Sequence, residues 1–201
     1  MPAKTPALLD ARTEYAPTPN TSGNRKTTSL IVVHYTASDS YHAAVQWFCE
    51  KRAKASAHFV IGQEGETCQL ASLDAVTWHA GSSVWKDQPS VNSFSVGIEL
   101  VNLGPITRKP DGTYVSVSGS RKVPAERVFT GRHKDKRCPY EYWHTYPESQ
   151  VARLREIIAR LRELYPEITD VTGHSTVAPG RKIDPGPALP SPLDKLKHGF
   201  E

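Results

Sequence analysis

Five side chains in this sequence have the types and spacing of a metal-assisted hydrolytic centre. His34 closes the apolar run SLIVVHYT (29–36), and His174 closes EITDVTGH (167–174) near the other end of the chain. Ten residues further on, Asp184 sits in GHSTVAPGRKIDPGP (173–187), a segment with three prolines and three glycines. Such a segment is neither a helix interior nor a central strand, so it reads as a stiffened loop able to fold back towards a strand end. Catalytic zinc sites take three protein ligands from His, Cys, Asp and Glu and leave one position for water. His34, His174 and Asp184 form such a set, although the same set admits other divalent ions. Lys182 lies two residues before Asp184, and in extended backbone those positions face the same way. Pro185 restricts Asp184 to that extended conformation. Glu99 stands on the polar side of SVGIELV (95–101). Together the five residues suit hydrolysis of an amide. The metal polarises the carbonyl, Glu99 carries a proton from water to the leaving amine, and Lys182 steadies the oxyanion, worth roughly 3–4 kcal/mol for one well-placed donor.

The elements that must position these groups follow from hydrophobic period. Residues 29–36 form a β-branched run read as a buried strand ending at His34. Asp39 or Ser40 can cap the helix YHAAVQWFCEKRAKA, whose apolar side is Ala44, Val45, Phe48 and Cys49. HFVIGQEGETCQL (58–70) reads as two strands joined by a tight turn at Glu64 and Gly65. In 95–101, Val96, Ile98 and Leu100 share one face, and Gly97, Glu99 and Val101 share the other. ESQVARLREIIARLRELY (148–165) predicts an amphipathic helix with the stripe Val151, Leu154, Ile158, Leu161 and Tyr165 and a solvated arginine face. Between Gly104 and Tyr146 the pattern dissolves into turn residues and charge. The expected fold class is α/β: a single domain with a central mixed β-sheet flanked by helices and the site at strand ends. Residues 1–28 are expected to be an arm, 29–190 the domain with an insertion at 103–147, and 191–201 a tail.

Composition narrows the classes. The chain has 201 residues, 38% hydrophobic and 23% charged, with a net charge of +4. No apolar run is long enough for a membrane span, and the first residues lack the apolar core of a secretory signal. Synthesis in a cytoplasm is therefore expected, without membrane insertion. Three widely spaced cysteines without a C-x-x-C suggest free thiols. Residues 104–146 carry nine Lys and Arg against four acids, a net +5 that exceeds the whole chain, together with six aromatic residues. No nucleic-acid motif accompanies that charge, so nucleic acid is not the expected partner.

In order along the chain, IVVHYTAS, HFVIGQEGETCQL, WHAG, SVGIELVN and GHSTVAPGRKIDPGP resemble the type 2 N-acetylmuramoyl-L-alanine amidases, of the peptidoglycan recognition protein and phage lysozyme-amidase superfamily. The resemblance covers roughly residues 29–102 and 148–190. It implies a peptidoglycan recognition protein-like fold and one Zn2+ held by His34, His174 and Asp184. It further implies Glu99 and Lys182 as catalytic residues and cleavage between the lactyl group of N-acetylmuramic acid and L-alanine of the stem peptide. Two departures are visible: the third ligand is Asp184 where some relatives carry Cys, and Tyr35 follows the first ligand where relatives often carry a second His. The expected partner is peptidoglycan or a muropeptide, bound by a monomer. The basic, aromatic insertion is read as a lid or platform that grips stem-peptide carboxylates, which favours a phage or prophage endolysin released to periplasmic wall. The alternatives are a cytoplasmic amidase recycling anhydro-muropeptides and a non-catalytic peptidoglycan-binding module. Trp78, His79, Asn92, Asn102 and Trp143 are candidate substrate contacts, with His79 equally able to pin its own loop. His58 reads as structural, and His42, His133, His144 and His198 as surface residues.

Overall fold

The computed structural model describes residues 8–190; the tail 191–201 and the first seven residues of the arm lie outside the described residues. The arm contributes β1 (Thr13–Tyr15) and β2 (Thr21–Asn24), followed by β3 (Leu30–Tyr35) and helix α1 (Tyr41–Cys49). Then come β4 (Phe59–Ile61), β5 (Thr67–Gln69), β6 (Ala75–Thr77), two short strands β7 (Val84–Trp85) and β8 (Gln88–Pro89), and β9 (Ser95–Leu100). The central sheet has six strands in the order β1-β5-β4-β9-β3-β15, where β15 is Asp170–Gly173. It is mixed: β4 and β5 run antiparallel, and the other neighbouring pairs run parallel.

Both faces of this sheet are covered, which is why β3 up to His34 and β4 read as unbroken apolar runs. On one face Ile31, Val33, Phe59, Ile61, Val96, Ile98 and Leu100 pack against Val151, Leu154, Ile157, Ile158 and Leu161 of α2 (Glu148–Leu164). On the other, Val60, Cys68, Leu70 and Val101 meet Tyr41, Ala44 and Phe48 of α1. Ser40 caps α1 by accepting from the Ala43 amide at 3.2 Å. The helix ends at Cys49 and a single 3-10 turn follows, so it is shorter than its sequence suggests.

Three expectations change. The arginine face of α2 is not wholly solvated: Arg153 is buried, donating to Asp10 at 2.7 and 2.9 Å and to Thr13 and Thr67, which clamps the arm onto the helix. His133 and His144 are buried rather than on the surface. The region after Gly104 does not dissolve. It forms a second, five-stranded antiparallel sheet in the order β12-β11-β10-β14-β13. Its strands are β10 (Pro105–Arg108), β11 (Tyr114–Ser116), β12 (Lys122–Val123), β13 (Val128–Thr130) and β14 (Tyr142–His144). Strands of two to four residues are too short to show an alternation in sequence. Ile106, Val115, Val123 and Trp143 make its buried side.

Candidate metal-centred active site

Register brings the site together. In the parallel pairing of β3 with β9, His34 lies opposite Glu99. In the pairing of β15 with β3, Gly173 lies opposite Val33, so His174 emerges next to His34 as the first residue of the short helix α3 (His174–Val177). Side chains alternate along a strand. With Ile31 and Val33 turned towards α2, His34 is turned to the opposite face, and Glu99 follows the same rule between Ile98 and Leu100. The loop after α3 returns Asp184 to the strand end, where the Ser175 amide donates to the Asp184 carbonyl at 2.9 Å.

His34 Nδ1, His174 Nδ1 and Asp184 Oδ2 converge on one point. The imidazole nitrogens are 2.9 Å apart, and the carboxylate oxygen is 3.0 Å from the first and 2.9 Å from the second. All three residues are buried, and this is the group among the described residues able to hold a metal ion. Three ligand atoms about 2.0 Å from a tetrahedral ion would stand roughly 3.3 Å apart, so a small change in spacing would admit one. The chemistry also fits. The carbonyl of Ala80, which can only accept, lies 3.1 Å from His174 Nε2 and places the proton there. That leaves a bare lone pair on His174 Nδ1, directed at an anionic carboxylate and a second imidazole, an arrangement that calls for a cation. Burial makes His34 harder to protonate, while the two histidines hold the Asp184 carboxyl far below the usual carboxylate range despite its burial.

The three donors lie in a cleft of about 430 Å³ that Glu99, Lys182, Tyr35 and Trp78 also line. Lys182 and Asp184 therefore do face the same space. Glu99 is buried and its Oε2 has no hydrogen-bond partner in the protein. Burial pushes its proton affinity up to about 8; Asp184 adds to the rise and Lys182 opposes it. A buried carboxyl with an unused oxygen, aimed into a cleft, is equipped to hold and release a proton. A somewhat larger cavity of about 490 Å³ lies behind the loop, among Arg132, Lys134, Thr172 and Pro185, and includes none of the three donors.

The outer candidates divide. Trp78 is part-exposed on the cleft, with Nε1 donating to Ser22 at 2.6 Å. His79 lines the cleft too, yet its Nδ1 is 3.0 Å from His34 Nε2. Asn92 uses its side-chain oxygen on the amides of His79 and Ala80. Asn102 is fully buried, donating to the carbonyls of His144 and Thr145 and accepting from the Gly104 amide, so it presents no surface to a substrate. Trp143 is 1% exposed, packed over Gly186, where a Cβ would meet the indole at 2.6 Å. It supports the Asp184 loop from behind and does not reach the cleft. His58 is structural as expected, with Thr77 Oγ1 and the Gly97 amide both close to its Nδ1. Arg181 was not among the candidates; it lines the cleft and donates to the carbonyls of Ala80 and Ser82. Its place beside Lys182 was the one available signal.

Fold and site together define a family. Residues 24–187 match the family model described as N-acetylmuramoyl-L-alanine amidase, and the chain belongs to that family. More particularly, it is similar to the 1,6-anhydro-N-acetylmuramyl-L-alanine amidase AmpD of Escherichia coli, 30% identical over 137 residues, 68% of this chain and 54% of the relative. The chain thus spans about half the length of this and other curated relatives it matches. The crystal structure of AmpDh3 from Pseudomonas aeruginosa in complex with anhydromuramic pentapeptide aligns at 28% identity with a TM-score of 0.59, over 90% of this chain and 62% of that one. The endolysin amidase LysCS from Clostridium intestinale aligns at 16% identity and a TM-score of 0.56 over 92% of both chains, a likeness of fold alone. No helix among the described residues is long and apolar enough to cross a membrane.

Proposed function

We propose that this chain is a zinc-dependent N-acetylmuramoyl-L-alanine amidase acting on soluble muropeptides that carry 1,6-anhydro-N-acetylmuramic acid. The observation that carries the reading is the convergence of His34, His174 and Asp184 on one point of a cleft that Glu99 and Lys182 share. Those three residues would hold the ion, which would supply Lewis acidity to the lactyl carbonyl and to the attacking water.

The chain's own groups do the rest. With a cation on the three donors, Glu99 begins as a carboxylate and takes a proton from water as the oxygen adds to the lactyl carbon. Lys182 faces the same space and its ammonium balances the charge that grows on the carbonyl oxygen. Glu99, whose burial favours the protonated form, then delivers the proton to the alanine nitrogen as the carbon–nitrogen bond breaks. The products are a muramic acid carboxylate and a stem peptide with a free amine. All five groups come from one chain, so a monomer forms a complete cleft.

The recycling role takes the place of the expected endolysin role. Similarity to AmpD at 30% identity and to a structure holding anhydromuramic pentapeptide at 28% supports it, whereas the endolysin likeness at 16% is one of fold. A recycling enzyme would work in the cytoplasm. The test is release of stem peptide, followed by mass spectrometry, from soluble anhydro-muropeptide and from intact wall sacculi. Release from the soluble substrate, abolished by a chelator and restored by zinc, is expected. Release from sacculi alone would return the endolysin reading, and zinc binding without release would make the chain a muropeptide-binding module.

A further inference from the structure

We infer that His79 and Ser95 form a hydrogen-bonded relay that fixes the tautomer and ring orientation of His34, so that His79 is a positioning residue for the metal centre. The inference rests on the metal reading above. The Val91 carbonyl can only accept, and Ser95 Oγ lies 2.6 Å from it, so the serine proton goes there. Ser95 Oγ is left as an acceptor for His79 Nε2 at 3.2 Å, which places the His79 proton on Nε2. His79 Nδ1 is then bare and accepts from His34 Nε2 at 3.0 Å. His34 Nδ1 is bare in turn, and it is the atom that faces His174 and Asp184.

The relay is held rigidly. Ser95 is fully buried. The His79 ring lies over Gly97, where a Cβ would come within 2.4 Å of His79 Cγ, so the strand leaves room for the imidazole by having no side chain there. Asn92 accepts from the amides of His79 and Ala80 at 3.3 and 2.8 Å. Ala80, the next residue, sets His174 through its carbonyl at 3.1 Å. One loop therefore sets both imidazoles, His174 through backbone and His34 through a side chain. Outer partners of this kind orient ligands and raise their basicity. Only the His34 branch is open to mutation.

The full chain is tested by two measurements: zinc affinity by chelator competition, and the His34 imidazole tautomer in metal-free protein by long-range 15N NMR. His79→Phe keeps the ring volume and removes both nitrogens. It is expected to weaken zinc binding about 10–100-fold and to leave His34 as a tautomer mixture. His79→Asn keeps an acceptor oxygen near the Nδ1 position and should restore most of the affinity. Ser95→Ala, a small deletion that serves should His79→Phe not fold, should show the same tautomer mixing and a lesser loss of affinity. Wild-type affinity and an unchanged His34 tautomer in His79→Phe would overturn the relay while leaving the metal reading intact. Absence of zinc binding by the wild type would remove the metal reading, and the tautomer measurement would still decide the relay.

Discussion

The two larger sheets among the described residues carry their charge in opposite places. In the six-stranded sheet every residue of β9 is buried, and β3 is buried up to His34, so the charged and imidazole groups at the strand ends sit in an apolar frame. In the five-stranded sheet, β10 is buried at Pro105 and Ile106 and exposed at Thr107 and Arg108, and β13 has no buried residue. The same side-chain types have different consequences in the two settings. Burial moves Glu99 far from its ordinary proton affinity, while a solvated lysine or arginine is simply a charge. The sheets also depend on each other. Trp143 packs over Gly186, and the Tyr146 hydroxyl donates to the Pro185 carbonyl at 2.7 Å, so residues 143–146 brace the loop that carries Asp184.

The largest effects are expected at the buried donors. Asp184→Ala is expected to lower zinc affinity beyond the roughly 100-fold typical of outer partners and to abolish amide hydrolysis, read by metal analysis and product release. A variant with one zinc per chain and full activity would show that the third donor is misassigned. Lys182→Ala should keep zinc and lose about 100–1000-fold in kcat, separating charge stabilisation from metal holding.

On the insertion side, Trp143→Ala should cost about 3–5 kcal/mol in denaturant unfolding and should also weaken zinc binding through the loop it braces. Unchanged zinc affinity in the folded variant would mean that the second sheet is independent of the site. Next in size is the pH response of Glu99. In metal-free protein its raised affinity means the folded state keeps a proton that the unfolded chain releases above its ordinary value of 4.5. Its contribution to stability is thus present below that value and falls as pH rises to about 8, by at most about 1.4 kcal/mol per pH unit. Glu99→Gln should remove this slope from the difference between variant and wild-type unfolding curves. The smallest effect is expected for Arg108→Ala with Lys109→Ala, within about 0.5 kcal/mol. A large loss of turnover on soluble muropeptide in that variant would support the expected role of the basic segment as a substrate platform.

Much of the central frame was legible because its signals are local. Continuous β-branched runs mark strands covered on both faces, the 3.6-residue stripe marks α2, and the Pro and Gly density of 173–187 marks the loop that returns Asp184. The region 104–146 was illegible as a sheet because its strands are shorter than the window in which alternation shows. Its net charge suggested contact with substrate, and its brace on Pro185 and Gly186 has no signature in sequence. Asn102 and Trp143 show the same limit. An Asn after a strand and a Trp among tyrosines suit a binding surface equally well as a buried support, and only their burial decides between the two.

By itself the sequence determined the fold class and singled out five candidate residues by type, since residue identity, short-range period and the family resemblance all point to them. Tertiary structure alone decided that His34 stands opposite Glu99, that His174 emerges beside His34, and that His79 lies behind His34 with Ser95 beyond it. Strand register and the approach of distant loops depend on packing between segments up to 150 residues apart, as in the His34 to Asp184 contact. No local pattern encodes that distance.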